Sequence, residues 1–156
     1  EESFSEWQIR NIHQLILKNI DDDNAGRYRQ QNVLISGATS TPPDYTLLND
    51  KMAQLVDWYS NDAHKFHPIE RAAKVHADFV GIHPFIDGNG RTSRLLMNLE
   101  LLKAGYPPCV ITVENRLAYY EALDQWMAYG KTEAFIQLVS EAVLEGFKPY
   151  QVVLGI

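Results

Sequence analysis

At 156 residues, with 46% hydrophobic and 22% charged residues, the chain can build one sizeable core, which fits a single soluble globular domain. A net charge of −6 argues against a surface made to hold a nucleic-acid backbone, which needs a basic patch, although a nucleotide site can still be locally basic. One cysteine, Cys109, excludes an internal disulfide and a cysteine-rich metal site, and with neither a membrane-length apolar run nor a leader-like start the expectation is no membrane partner and a cytoplasmic location, unless the chain is part of a longer protein.

Helical spacing dominates, and no repeat or linker divides the chain. Ser5 with Gln8 resembles a capping box. Ile9, Ile12, Ile16 and Ile20 then recur at three- and four-residue steps, predicting a helix from about 5 to 20 that stops at Asp21-Asp22-Asp23-Asn24. Arg29 to Asp44 breaks this pattern. There Val33-Leu34-Ile35 has strand propensity and Ser36-Gly37-Ala38-Thr39 has turn chemistry, so a short exposed β-hairpin is expected. Leu48, Met52, Leu55, Val56 and Tyr59 trace a second helix. Pro68 suits the first turn of a third, which carries Ile69, Ala72, Ala73, His76, Phe79 and Val80 into His83. A fourth runs from about Gly90 to Ala104, with Gly105 as its C-cap. Helices from about 114 to 127 and 132 to 145 follow, and Gly146 is expected to end the last. The fold expected is an all-α bundle bearing one small β-hairpin, a single domain over residues 1–156.

Residues 83–94 read His83-Pro84-Phe85-Ile86-Asp87-Gly88-Asn89-Gly90-Arg91-Thr92-Ser93-Arg94. His83 suits a general base, because an imidazole titrates near neutrality; a helix-capping histidine is the alternative. Asp87 is a hard oxygen ligand of the kind Mg²⁺ takes beside phosphate oxygens, although Asp-Gly is also a common turn pair. Gly88 and Gly90 let backbone N–H groups approach an anion closely. The helix that follows points its positive end the same way. Arg91 and Arg94, three apart, share one face and suit bidentate phosphate contacts. Together these groups describe a nucleotide phosphate site.

The block resembles the signature of the Fic family, H-x-F-x-[DE]-G-N-G-R-x-x-R, at every fixed position. Likeness continues through Ala25-Gly26-Arg27-Tyr28-Arg29, Val33-Leu34-Ile35, Pro42-Pro43, His67-Pro68-Ile69-Glu70, Ala104-Gly105-Tyr106-Pro107-Pro108 and Tyr119-Tyr120, in the family's order and over roughly residues 5–140. The similarity is greatest to the branch containing the animal enzyme that modifies the chaperone BiP.

The resemblance implies a protein adenylyltransferase using ATP and Mg²⁺. His83 would deprotonate a Ser, Thr or Tyr hydroxyl of a target protein, whose attack on the α-phosphate transfers AMP and releases pyrophosphate. Asp87 would hold Mg²⁺, and Gly88, Asn89, Gly90, Arg91, Thr92, Ser93 and Arg94 would line the phosphates, with the Asn89 amide among the contacts and Arg94 on the γ-phosphate. Phe85 would anchor the loop in the core. The hairpin, Val33, Leu34, Ile35 and Ser36, would be a flap that aligns the target by strand-like pairing. Tyr119 and Tyr120 would lie near adenine or ribose, although paired aromatics on a helix usually pack. His13, His64, His67 and His76 have no metal-ligand spacing and suit packing or surface roles. Family members also modify themselves, and several form homodimers.

Two departures stand out. Many relatives carry an inhibitory helix, [ST]-x-x-x-E-[GN], whose glutamate occupies the second motif arginine; in the most similar branch that helix precedes the core, and the expectation is that residues 1–156 do not include it. Ser140 and Glu145-Gly146 form a C-terminal near miss, one residue too long, leaving Glu145 as the only inhibitory candidate. An asparagine often found after the paired tyrosines is replaced by Met127 or a neighbour, which loosens base selectivity. The alternatives are other Fic chemistry (AMP removal, UMP, phosphocholine or phosphoryl transfer) or a catalytically silent nucleotide-binding module. The intact Gly88-Asn89-Gly90-Arg91 favours AMP transfer.

Overall fold

A computed structural model describes residues 4–155. Its helices are α1 (Glu6–Leu17), α2 (Leu48–Asn61), α3 (Pro68–Ile82), α4 (Asn89–Lys103), α5 (Arg116–Tyr129) and α6 (Glu133–Leu154), with 3₁₀ turns at Tyr45–Leu47 and Ala63–Lys65. No strand occurs among the described residues. None of their helices is long and apolar enough to cross a membrane.

The centre of the bundle is α3. It packs most extensively on α4 and also touches α2, α5 and α6. Its two faces serve two cores. Ala72, Ala73 and Ala77 join Met97, Leu101, Trp126, Phe135 and Val139 on one side, while Val75 and Phe79 join Ile9, Met52, Phe85 and Leu96 on the other. The small alanines let α5 and α6 approach closely, and the motif leaves from the end of this doubly packed rod. One buried carboxylate, Glu100 of α4, accepts from the Tyr59 hydroxyl at 2.7 Å and from Arg71 Nε at 3.2 Å, tying α4 to α2 and α3.

Local chemistry explains most boundaries. Ser5 Oγ accepts the Gln8 N–H, as the capping pattern requires. Pro68 occupies the first turn of α3, where it forfeits no helical hydrogen bond. However, α1 stops at Leu17, three residues before its predicted end, because Asn19 turns left-handed (φ 62°) and donates its N–H to Asp22.

Two expectations need correction. The hairpin does not form: Ala38 N–H closes a turn onto Ile35 carbonyl around Gly37 (φ 77°), yet the flanking backbone is held by side chains rather than a ladder. Asn32 bonds Asp44 and the Tyr45 N–H, and Thr39 bonds Asp124. Pro42 and Pro43 have no N–H to contribute to a ladder. The second correction is Gly146, which lies inside α6; the helix runs on past Pro149 to Leu154. A Cβ at Gly146 would meet Pro107 at 3.1 Å and the Pro108 carbonyl at 3.3 Å. This glycine serves close packing, not termination.

Candidate active site

His83 closes α3. Its N–H caps the Phe79 carbonyl at 3.0 Å, and its backbone turns left-handed (φ 51°, ψ 57°), a conformation a non-glycine residue holds only when neighbours impose it. The ring Nδ1 lies 3.1 Å from the Val80 carbonyl. A carbonyl can only accept, so Nδ1 carries the proton and Nε2 presents a bare lone pair. Burial lowers the imidazole pKa below its usual value; the Val80 bond opposes that shift and the Arg29 charge adds to it. The neutral, proton-accepting form is therefore favoured.

Arg29 braces the residue in this geometry. Only 3% exposed, it donates Nε to the His83 carbonyl at 2.8 Å, Nη1 to Gln31 at 2.9 Å and Nη2 to Pro43 at 2.6 Å. Its own N–H reaches the Pro84 carbonyl at 2.9 Å. One buried guanidinium thus joins both ends of the flap segment to the residue at the end of α3.

The loop between α3 and α4 is clamped from within. Phe85 is fully buried against Phe79, Tyr28 and His13. Asn89 Oδ1 accepts the Phe85 N–H at 2.9 Å and its Nδ2 donates to the Phe85 carbonyl at 2.8 Å. That bidentate clamp corrects the assignment of the Asn89 amide to phosphate: the buried side chain is spent on holding the loop. Asp87 points outward, with Oδ1 accepting the Gly88 N–H at 2.6 Å and Oδ2 accepting Arg91 Nη2 at 3.1 Å.

Gly88 takes φ 79°, and α4 begins after it. Amides in the first turn of a helix lack intrahelical acceptors, so those of Asn89, Gly90 and Arg91 form a positive rim beside Asp87. Arg94 leans back over that rim, as helical side chains do: a Cβ at Gly90 would lie 3.4 Å from its Nη1. Gly90 therefore clears the guanidinium's path. The first amides of α4 and the Arg94 guanidinium lie side by side, with Arg91 held by Asp87 next to them, an arrangement suited to an anion, and His83 stands at the other end of the same loop.

The remaining assignments divide. Thr92 and Ser93 are buried, with Ser93 Oγ donating to the Gly90 carbonyl at 3.0 Å. They share the inward face with Leu96 and Met97, so the side chains of these two residues, expected to line the phosphates, face the core. Tyr119 is likewise a core residue, 4% exposed, its hydroxyl 2.7 Å from Nε2 of buried His76. Burial drives His76 down to about 4 and Tyr119 up to about 12, a neutral structural pair. Only Tyr120, 57% exposed, faces outward. Glu145 lies on the exposed side of α6 and pairs with Lys148 at 2.6 Å.

In the flap, Val33 and Ile35 are half-buried while Leu34 and Ser36 are exposed. Thr39 donates its N–H and its hydroxyl to the two oxygens of Asp124 on α5, both at 2.7 Å. Sequence reading missed Asp124, undervalued His13 and saw Arg29 only as part of a matching run. The described residues contain no group of three or more His, Cys, Asp or Glu suited to a metal. A lone exposed carboxylate at an anion site nevertheless fits Mg²⁺, which is commonly held by one or two carboxylates together with substrate phosphates.

Comparison with known proteins places this geometry among relatives. The family described as "Fic/DOC family" matches residues 3–101. Protein adenylyltransferase Fic of Nematostella vectensis is 43% identical over 140 residues, 89% of this chain and 32% of the relative. Protein adenylyltransferase fic-1 of Caenorhabditis briggsae is 41% identical over 116 residues, 74% of this chain and 22% of the relative. Among solved structures, residues 134–508 of Fic-1 from Caenorhabditis elegans superpose with a TM-score of 0.87 at 34% identity, covering 98% of this chain and 44% of that one. The chain thus spans a third or less of these curated relatives' length.

Proposed function

The chain belongs to the Fic/DOC family, and from that premise we propose that it forms one catalytic domain of a protein adenylyltransferase, moving AMP from ATP to a hydroxyl of a target protein. The carrying observation is the 3.1 Å approach of His83 Nδ1 to the Val80 carbonyl, from which the tautomer follows. Because Nδ1–H is spent on Val80, Nε2 is the atom that accepts the proton of a Ser, Thr or Tyr hydroxyl. The freed oxygen attacks the α-phosphorus, a new P–O bond forms, and the bond to the bridging oxygen breaks. Pyrophosphate leaves with that electron pair.

The amides of Asn89, Gly90 and Arg91, with the Arg91 and Arg94 side chains, hold the phosphates in line and meet the charge developing on the leaving group. Asp87 would hold Mg²⁺, which supplies charge neutralisation to the triphosphate. The target lies along the flap, whose Leu34 is 80% exposed, so main-chain pairing sets register with little demand on its side chains. Self-modification fits this arrangement, as does pairing with a second copy of the chain.

Labelled ATP tests the reading. Label carried on the α-phosphate should pass to protein and label on the γ-phosphate should not. Transfer of γ label would instead mean phosphorylation, and transfer of neither, with every candidate target and the chain itself present, would favour a silent binding module.

A further inference from the structure

His13 lies on α1, 74 residues from Asp87 in sequence, yet both of its ring nitrogens are committed to the catalytic loop and its support. The Gly26 N–H lies 2.9 Å from Nδ1, and an amide can only donate, so Nδ1 is the bare nitrogen. Nε2 therefore carries the proton and donates it to the backbone carbonyl of Asp87 at 2.8 Å. The ring lies flat on Phe85, with centroids 3.5 Å apart and planes 4° from parallel. Its Nε2 edge occupies the space over Gly88, where an added Cβ would come within 3.2 Å.

Three internal clamps hold the loop, and they divide the work. Arg29 takes His83 and Pro84, and Asn89 takes Phe85. Of these three, His13 is the clamp that reaches the Asp87–Gly88 peptide, by a hydrogen bond to the Asp87 carbonyl, while Leu17 adds only an apolar contact beside Gly88. That peptide decides where the Asp87 carboxylate points and where the amide rim of α4 begins, because Gly88 turns left-handed immediately before the helix. The Asp87 side chain has no buried support of its own; its partners are the adjacent Gly88 N–H and the exposed Arg91.

We propose that His13 is a positioning residue for phosphate and Mg²⁺ binding. As a neutral Nε2–H donor, it sets the Asp87–Gly88 peptide and through it aims the Asp87 carboxylate and the first amides of α4. The role rests on reading this loop as the MgATP site. Side chains that orient a metal-binding carboxylate commonly matter 10–100-fold to affinity or activity, and the expectation here is of the order of ~10–100-fold.

The test compares wild type with His13→Phe, which keeps a flat ring on Phe85 and removes both hydrogen bonds, and with His13→Gln, which restores an amide donor. MgATP affinity is measured by calorimetry, KM for ATP and for target separately, and amide exchange along residues 85–91. In His13→Phe the expected result is MgATP affinity weakened about 10–100-fold, KM for the target unchanged, and exchange accelerated at Gly88–Gly90 but not at Trp126 or Phe135. His13→Gln should fall between the two. A folded His13→Phe with wild-type affinity and wild-type exchange overturns the proposal. Should His13→Phe fail to fold, His13→Gln decides: faster exchange confined to the loop supports the role, and uniform acceleration across the domain overturns it as mere core filling. Exchange requires no nucleotide, so it judges His13 even if the wild type labels no protein, an outcome that would sink the assigned reaction instead.

Discussion

Nε of Arg29 donates to the carbonyl oxygen of His83 at 2.8 Å, so the proposed base and the flap hang from one buried side chain. Replacing Arg29 with Met would leave the carbonyls of His83, Gln31 and Pro43 without this donor. We expect a stability loss of about 3 kcal/mol, measured by urea unfolding, and a fall in transfer greater than the unfolded fraction explains. Arg29→Lys keeps the charge without the planar fork and should recover only part. Wild-type stability and turnover in both variants would show that the pin is dispensable.

His83→Ala removes the proton acceptor and none of the phosphate contacts. Transfer should fall roughly 10²–10⁴-fold while ATP affinity holds. The pH profile follows from direction alone: burial keeps the imidazole below its usual pKa despite the opposing Val80 bond. The base form therefore predominates at and above about 6.5. Activity should be flat through neutrality and decline only on the acid side, and a histidine-dependent rise above neutral pH would contradict the assignment.

Arg94 leans across the α4 rim, whereas the Glu145 carboxylate is engaged by Lys148. Arg94→Ala should therefore cut transfer strongly, by about tenfold or more, and Glu145→Gly should leave it near wild type. A many-fold gain in Glu145→Gly would reveal a working C-terminal inhibitor. Radiolabel incorporation measured side by side in the three proteins settles this.

His76 links stability to pH. Burial lowers its folded pKa to about 4, while an unfolded chain binds that proton near about 6.5. Between these values the unfolded state holds a proton that the native state does not, so stability is full above about 6.5 and falls as pH drops toward 4. The slope approaches about 1.4 kcal/mol per pH unit and sums to about 3 kcal/mol. Denaturation between pH 5 and 7 should show this slope in wild type, and His76→Gln should reduce it by the His76 share, leaving what His13 and His83 contribute, since burial lowers their pKa values as well. Equal slopes would mean His76 protonates without unfolding.

What the sequence made legible was chemistry written contiguously. The roles proposed for His83, Asp87, Arg91 and Arg94 are suggested by residue type, spacing and family likeness within one segment, and the helices follow from their apolar periodicity. The inward phase of Thr92 and Ser93 was also readable, since each leads by four residues to a buried Leu96 or Met97. Other features carry no local mark. Arg29 finds its carbonyl 54 residues away and His13 finds its own 74 away. Gly146 looks the same whether it ends a helix or admits Pro107, and only the tertiary approach of that proline distinguishes them. The flap had strand propensity, but a ladder needs a partner, and here side chains of Asn32 and Asp124 take up the backbone and hydroxyl groups around it.

That last arrangement separates two jobs that a β-hairpin would fuse. Because the flap is fastened by Arg29 at its root and by Asp124 through Thr39, its outward residues Leu34 and Ser36 are released from holding its shape. They form a free alphabet on a fixed ribbon: on the proposed reading, changes there would alter which segment lies along the flap while the contacts of Arg29 and Asp124 that hold it stay as they are.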